Sequence, residues 1–350
     1  MSQRLFFIGA LDYPNIPQAG DAVKNRFLLD YFGRELHDVS YVDTQNWKRN
    51  PLILVRVMLK LLFRRFDNIV ISTSTTSAYR LIRLITSLHL KSRIYYFMIA
   101  GYAPVRIKAG DYKAEPYRRL ERIVVEADKV SELFHELGID NTLRLYNFKP
   151  VRFVPDITKP HEGKVRFVFL SRLTRLKGIF HILESVRALN REGLGESFEV
   201  DFYGRTDADI REEFLNEVDS LENVSYNGFL QLDGADGYKA LSEYDAMLFP
   251  TMHVTEGFPG VIADAAISGL PVIASDWQYA QEIIGHGRCG LLFPVGDNQA
   301  LTDNMRAVIK DRGILEPMRR NALERSEMYN VDKVLTRELI ERLGMDKPVY

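Results

Sequence analysis

The chain has 350 residues, 46% hydrophobic and 27% charged, with 23 Gly and 14 Pro, which excludes a disordered, collagen-like or low-complexity polymer and allows two domains. Its single cysteine, Cys289, excludes a disulfide framework and a cysteine-based zinc site, and fits a reducing compartment. Net charge is −1, but residues 1–150 carry 23 Lys and Arg against 15 Asp and Glu while the remainder carries 23 against 32, an asymmetry that predicts different partners for the two parts.

The apolar run at Leu5–Gly9 leads into Asp12-Tyr13-Pro14 without a small-residue cleavage site, so it reads as a first buried strand rather than a signal segment. A helix is predicted over Asp21–Leu36, a strand over Val39–Val42, a helix over Leu52–Phe66 and a strand over Asn68–Ser72. A helix over Ser77–Leu90 and a strand over Arg93–Ile99 follow. The longest apolar run, Pro51 to Phe63, already contains Arg56 and Lys60 and falls short of the roughly 20 residues of a bilayer span. Between Phe148 and Gly163, Pro150, Pro155 and Pro160 interrupt any regular element. Strands resume at Val165–Leu170, Phe198–Tyr203, Ala246–Phe249 and Pro271–Ala274, each followed by a helix. Continuous apolar strands alternating with helices predict parallel sheets covered on both faces, and two such series predict two doubly wound α/β domains. The expected division is a first domain over 1–150, a linker over 151–163, a second domain over 164–325, and a helical tail over 326–350 that packs back on the body.

Two segments of the second series carry chemistry. Ser171-Arg172-Leu173-Thr174-Arg175-Leu176-Lys177-Gly178 follows the strand Val165–Leu170, at the sheet edge where doubly wound folds bind ligands, so Arg172 and Lys177 would place two cations there, suited to a diphosphate. Read alone, the segment is more simply an ordinary basic loop. Glu256-Gly257-Phe258-Pro259-Gly260 follows the strand Ala246–Phe249 and opens a helix closed by Gly269. Pro259 suits a first helical turn, and the two glycines leave backbone amides uncovered there. Glu256 and Asp264, eight residues apart, would line one elongated site and accept hydrogen bonds from hydroxyls; the bland alternative is a helix start with solvated charges.

Together these segments resemble the retaining glycosyltransferases of family 4. Arg172 to Gly178 is similar to that family's G/S-R-L-x-x-x-K-G element, Glu256 to Asp264 to its E-x7-E element, and Gly269–Asp276 to its G-x-P-V-I-A-x-D run. The resemblance covers roughly Val165 to Arg325 and is loose before the linker. It implies the GT-B fold, with two Rossmann-like domains facing a cleft. The implied activity is metal-independent transfer of a sugar from a UDP- or GDP-linked donor to an acceptor hydroxyl with retained configuration. The acceptor would be a lipid-linked glycan or polysaccharide precursor. No further cofactor, no metal and no nucleic-acid partner is implied. Arg172 and Lys177 would neutralise the leaving diphosphate and Glu256 would hold sugar hydroxyls. Gly257, Phe258, Pro259 and Gly260 would contact sugar and phosphate, Asp264 the ribose, and Gly20 would let a first-domain loop approach the phosphate. Gly204 belongs to the implied donor site, and Asn227-Gly228-Phe229-Leu230 resembles the family's base-pocket loop, which brings in Phe229.

Two departures stand out. The second carboxylate is Asp264 where the family has Glu, and Ile99-Ala100-Gly101-Tyr102-Ala103-Pro104 holds no His where many relatives place one. His89 and His135 lie in helical stretches and are read as structural. Asp207-Ala208-Asp209 reads as the cap of a helix over Ala208–Ser220 with Thr206 or Asp207 at its start, and more weakly as a metal-binding D-x-D. His253 lies just before the Glu256 loop. Two other readings stay open: a nucleotide-sugar 2-epimerase of the same fold, and a catalytically silent partner of another glycosyltransferase.

Between Thr44 and Gly110 stand twelve basic residues and one acidic one, Asp67. Arg56, Lys60 and Arg64 recur every four residues on the helix predicted over Leu52–Phe66, with Arg65 beside them, in more apolar surface than one sheet-facing stripe needs. The bland account is a buried helix with its cations in water. The sharper one is a surface lying on an anionic membrane, which would make the protein cytoplasmic and peripheral on the inner face of the cell membrane.

Overall fold

Runs such as Leu5-Phe6-Phe7-Ile8 and Phe167-Val168-Phe169-Leu170 are apolar on both sides of the pleat, and only a sheet covered on both faces satisfies them. The protein, in a computed structural model that describes residues 3–11, 20–45, 47, 49–99, 101–158, 161–232, 234–253 and 256–347, builds two such sheets. It divides into two compact units, Met1–Phe148 with Val331–Tyr350, and Lys149–Asn330.

The first unit runs β1 (Arg4–Gly9), α1 (Gly20–Leu36), β2 (Asp38–Asp43), α2 (Leu52–Phe63), β3 (Asn68–Ser72), α3 (Thr75–Ser87), β4 (Arg93–Phe97), α4 (Ala103–Lys108), α5 (Glu115–Arg118), β5 (Arg122–Val125), α6 (Asp128–His135) and β6 (Thr142–Arg144). All pairings are parallel, in the order β2-β1-β3-β4-β5-β6. The chain therefore moves outward from β1 to β2 and returns to β3 on the other side. Leu5, Phe7, Val70, Tyr95 and Phe97 meet Leu28, Tyr31 and Phe32 of α1 in one core.

The second unit runs β7 (Val165–Leu170), α7 (Ile179–Arg191), β8 (Phe198–Tyr203), α8 (Arg211–Asp219), β9 (Val224–Tyr226), α9 (Ala235–Ser242), β10 (Ala246–Phe249), α10 (Gly260–Ile267), β11 (Val272–Ser275), α11 (Ala280–Ile283), β12 (Gly290–Phe293), α12 (Asn298–Lys310) and α13 (Glu316–Ser326). Its sheet is parallel in the order β12-β11-β10-β7-β8-β9. Ile179, Ile182 and Val186 of α7 and Leu301, Met305 and Val308 of α12 pack on Phe167, Phe169 and Val200.

Several boundaries differ from expectation, among them α3, which spans Thr75–Ser87 instead of Ser77–Leu90, and three of the differences have a visible cause in the packing. The helix predicted over Leu52–Phe66 stops at Phe63, and Arg64 is extended (φ −131°, ψ 133°). The chain must re-enter the sheet beside β1, with the Asp67 amide donating to the Arg4 carbonyl at 2.9 Å and Phe66 stacked on Phe6 at 4.9 Å, and a helix cannot do both. The helix predicted over Ala208–Ser220 begins at Arg211, because Asp207 is engaged elsewhere. Beyond Arg325 the expected continuous helix is broken: a 3-10 turn over Glu327–Tyr329 precedes α14 (Val331–Val334) and α15 (Arg337–Leu343). These last two belong to the first unit, where Leu335, Leu339, Ile340 and Leu343 join its core and the Tyr31 hydroxyl donates to the Thr336 carbonyl at 2.7 Å.

Gly204, just past β8, sits at φ 138°, and a Cβ there would lie 1.7 Å from the Ser171 carbonyl oxygen. Gly193 also has a positive φ but faces open space. Gly193→Ala is expected to cost about 1–2 kcal/mol of unfolding free energy, the left-handed penalty alone, and Gly204→Ala about 3 kcal/mol or more, because backbone must move as well. Urea denaturation of the two variants measures the difference.

Candidate functional site

In the second sheet the chain runs outward from β7 through β8 to β9, then returns to β10 on the other side of β7. Such a reversal leaves a crevice beyond the carboxyl ends of the two central strands, the usual ligand position in doubly wound sheets. The loops after β7 and β10 are those that carry Arg172, Lys177 and Glu256.

After β7 the chain makes a single parallel bridge from Leu173 to Thr206, then a 3-10 turn over Arg175–Lys177. Thr174 caps that turn, its hydroxyl accepting from the Lys177 amide at 3.2 Å. Gly178 ends it at φ 75°, where a Cβ would sit 2.0 Å from the Pro250 carbonyl oxygen. Only glycine lets this loop press against the one that follows β10, and the Met252 amide seals the contact by donating to the Leu176 carbonyl at 2.7 Å.

That contact brings Lys177 to Glu256. The ammonium lies 2.5 Å from Glu256 Oε2, with both side chains mostly buried. The Thr251 hydroxyl donates to the same oxygen at 3.3 Å, and the ammonium stands 5.1 Å over the Phe249 ring. Arg172 is the more exposed cation: its Nε and Nη2 each lie 2.7 Å from Asp207 Oδ1. Asp207 therefore orients Arg172 instead of capping a helix. The structure thus gathers Arg172, Lys177 and Glu256 on adjacent loops of one sheet edge, each held by an intramolecular partner.

Helix α10 begins at Gly260, with Pro259 as its N-cap. No side chain caps it, and the Gly260 and Val261 amides have no acceptor among the described residues, which leaves donors at the positive end of the helix. The Phe258 side chain turns inward and packs edge-on against Tyr329, ring centroids 5.0 Å apart. Asp264 is buried, and both oxygens are engaged within the unit: Oδ1 accepts from the Tyr238 hydroxyl at 2.8 Å and Oδ2 from the Lys149 ammonium at 3.0 Å. Burial and this carboxylate push the Tyr238 hydroxyl well above the usual phenol range, so it stays a donor.

The remaining expected positions fall as follows. Gly204 donates its amide to the Gly228 carbonyl at 2.6 Å and packs under Ser171, so it ties the Arg172 loop to the loop of Phe229, whose ring is exposed. Gly20 opens α1 of the first unit, where a Cβ would meet nothing within 4 Å; residues 12–19 before it, like Ala100, Val254 and Thr255, lie outside the described residues. His253 donates its amide to the Thr251 hydroxyl at 3.2 Å, and its carbonyl accepts from the Glu256 amide at 3.1 Å. His89 stands past the end of α3 at φ 49° rather than within a helix, and His135 pairs with Asp140. Sequence reasoning missed Thr251, Tyr238 and Lys149, which are polar but lie in no recognisable motif. It also missed a cluster at the carboxyl edge of the first sheet, where Asn25 donates to the Ala10 and Ser72 carbonyls and Lys24 meets Glu126 at 2.5 Å.

Residues 164–311, within the second unit, match the family model described as glycosyl transferases group 1. The amylovoran biosynthesis glycosyltransferase AmsK of Erwinia amylovora is 29% identical over 157 residues, 44% of this chain and 38% of that protein. The putative colanic acid biosynthesis glycosyltransferase WcaL of Escherichia coli K12 is 25% identical over 231 residues, 64% of this chain and 53% of that protein. The matched regions thus span about half or less of these relatives. Among solved structures, Anabaena Alr3699/HepE in complex with UDP and glucose superposes with a TM-score of 0.71 at 15% identity, over 98% of this chain and 99% of that one. Sucrose-phosphate synthase from Thermosynechococcus elongatus gives 0.74 at 13% identity, over 99% and 100%. The fold is GT-B.

The Asp264 network generates a stability test. Asp264→Ala leaves the Lys149 ammonium and the Tyr238 hydroxyl without their acceptor, and is expected to lower the unfolding free energy by about 3–5 kcal/mol. Tyr238→Phe, which leaves the Asp264–Lys149 pair in place, is expected to cost about 1–2 kcal/mol. Denaturant titration followed by circular dichroism separates the two.

Proposed function

We propose that the protein is a glycosyltransferase that moves a sugar from a nucleotide-sugar donor to an acceptor hydroxyl, with retained anomeric configuration, during assembly of a bacterial polysaccharide or glycolipid. The observation that carries the reading is the Lys177–Glu256 pair at the reversal point of the second sheet, with Arg172 on the same loop as Lys177. A nucleotide sugar presents a dianionic diphosphate directly beside neutral hydroxyls. A lysine and a glutamate in contact present the matching surface, a cation for the phosphate and an acceptor for the hydroxyls, side by side. The group 1 match over residues 164–311 and the relatives named for amylovoran and colanic acid biosynthesis support the same chemistry.

In this reading Arg172 and Lys177 stabilise negative charge as the bond from sugar to diphosphate breaks, and Glu256 accepts hydrogen bonds from the donor sugar. The Gly260 and Val261 amides add donors at the helix terminus, where anions are favoured. Asp264 anchors α10 from beneath, so the amides keep their place. UDP is the first donor nucleotide to test, since it is what HepE was crystallised with. The acceptor is proposed to be a lipid-linked or glycan hydroxyl.

Arg172→Ala and Lys177→Ala are each expected to lower kcat by about 10²–10³-fold, the loss of one preorganised contact to developing charge. Loss of the exposed Arg172 leaves the melting temperature within a few degrees, whereas loss of Lys177 also lowers it, because Glu256 stays mostly buried without its cation. Near-parental rates in both variants would remove the proposal. A thermal-shift series with UDP, GDP and ADP is expected to show UDP raising the melting temperature, and a nucleotide at 100 times its Kd adds about 2.7 kcal/mol. Transfer is further expected to survive excess chelator, since two side-chain cations occupy the leaving-group position. Strict Mn²⁺ dependence would instead give Asp207 and Asp209 a metal-binding role.

A further inference from the structure

A helix that covers one face of a sheet needs one apolar stripe, and α2 has two. Ile53, Val57 and Leu61 are buried, one turn apart, on the side that packs against the edge strand β2. At about 100° per residue, Leu52, Val55, Leu59, Leu62 and Phe63 fall within an arc of about 100° on the opposite side. All five are exposed, Phe63 by 84%, Leu62 by 66% and Leu52 by 62%. Tyr41 on β2 adds a further exposed ring. Nothing among the described residues covers this second stripe.

The charges around the stripe have one sign. The helix holds no acid, and Arg56 borders the exposed arc while Arg65 stands just past its end. Both are exposed, and neither forms an ion pair among the described residues. The other two cations of the segment are turned to the protein. Lys60 bonds the Tyr41 carbonyl at 3.1 Å and lies over the Phe6 ring, and Arg64 pairs with Asp38 at 2.6 Å. Arg49 adds an exposed cation at the approach to the helix.

We infer that the outward face of α2 docks on a lipid bilayer that carries anionic headgroups. Leu52, Val55, Leu59, Leu62 and Phe63 enter the boundary between headgroups and acyl chains, and Arg56 and Arg65 lie against lipid phosphates. The cations decide the occupant. A second copy of the chain would bring the same unpaired arginines against one another, whereas an anionic leaflet complements them. The inference deepens the glycosyl-transfer reading, because a docked first unit would meet an acceptor carried on lipid. It can fail separately, because vesicle binding and donor turnover in solution are different measurements.

The test is co-sedimentation of the full chain with phosphatidylcholine vesicles of increasing phosphatidylglycerol content. Binding is expected to rise with phosphatidylglycerol and to fall at high salt. Arg56→Gln and Arg65→Gln are each expected to weaken it about fivefold at low salt, and the pair Leu62→Asp with Phe63→Asp at least about tenfold at any salt. Donor hydrolysis and melting temperature in these variants are expected to stay near the parental values, which shows that the fold is intact. Phe63→Trp gives an independent readout: its emission is expected to shift to the blue on vesicles and to be quenched by brominated acyl chains. No binding at any phosphatidylglycerol content, binding unchanged in the double aspartate variant, or a dimer that this variant dissolves would each overturn the inference.

Discussion

The contact between Lys177 and Glu256 is the point on which the second unit's architecture converges. The residues are 79 positions apart and meet only because β7 and β10 are neighbours in the sheet, a pairing that the reversal of strand order creates. Gly178 removes the side chain that would hold the two loops apart, Thr174 shapes the turn that aims the lysine, and Thr251 fixes the glutamate from the other side. A mostly buried pair of this kind is costly to break from one side only. Under the proposed function, a donor that offers an anion to the lysine and hydroxyls to the glutamate would replace the pair without leaving either charge bare.

Charge is handled differently in the two units. In the second, arginines lie beside acids: Arg166 beside Glu199, Asp201 and Glu243, Arg187 beside Glu217, and Arg306 beside Glu192 and Asp303. Exposed pairs like these contribute little stability each. The stretch from Thr44 to Gly110 has one acid for twelve bases; Arg64, Arg106 and Lys108 reach acids elsewhere in the first unit, while Arg56 and Arg65 form no ion pair among the described residues. The asymmetry visible in the sequence is therefore centred on α2 and its end, where Arg56 and Arg65 stay unpaired among the described residues while Lys60 and Arg64 turn to the protein.

The alternation of strands and helices, and the sheet edge that gathers Arg172, Lys177 and Glu256, could be read from the chain because buried parallel strands leave continuous apolar runs, and because these residues sit at fixed distances from those runs. What could not be read were the distant partners. Asp264 looks from spacing like a carboxylate on an exposed helix turn, yet the structure buries it on Lys149, 115 residues away, and no local pattern announces such a pairing. Asp207 looked like a cap because caps are local, but Arg172, 35 residues back, competes for it. The end of α2 follows the same rule: helical periodicity continues to Phe66, but the register of β3 against β1 ends the helix three residues sooner. Phe258 reads as a contact residue from its motif, and it faces Tyr329 because that ring stands across from it.

The path of the chain has one more consequence. It leaves the first unit after Phe148, builds the whole second unit, and returns at Val331, with the Lys149 amide donating to the Tyr329 carbonyl at 2.8 Å where the two passages run side by side. Leu335, Leu339, Ile340 and Leu343 arrive last, yet they cover α1, one of the first elements made. During synthesis the second unit can therefore close on itself first, while the first unit waits with part of its apolar surface open until the returning segment clears the ribosome. The unit that begins first is thus the second to be complete in sequence.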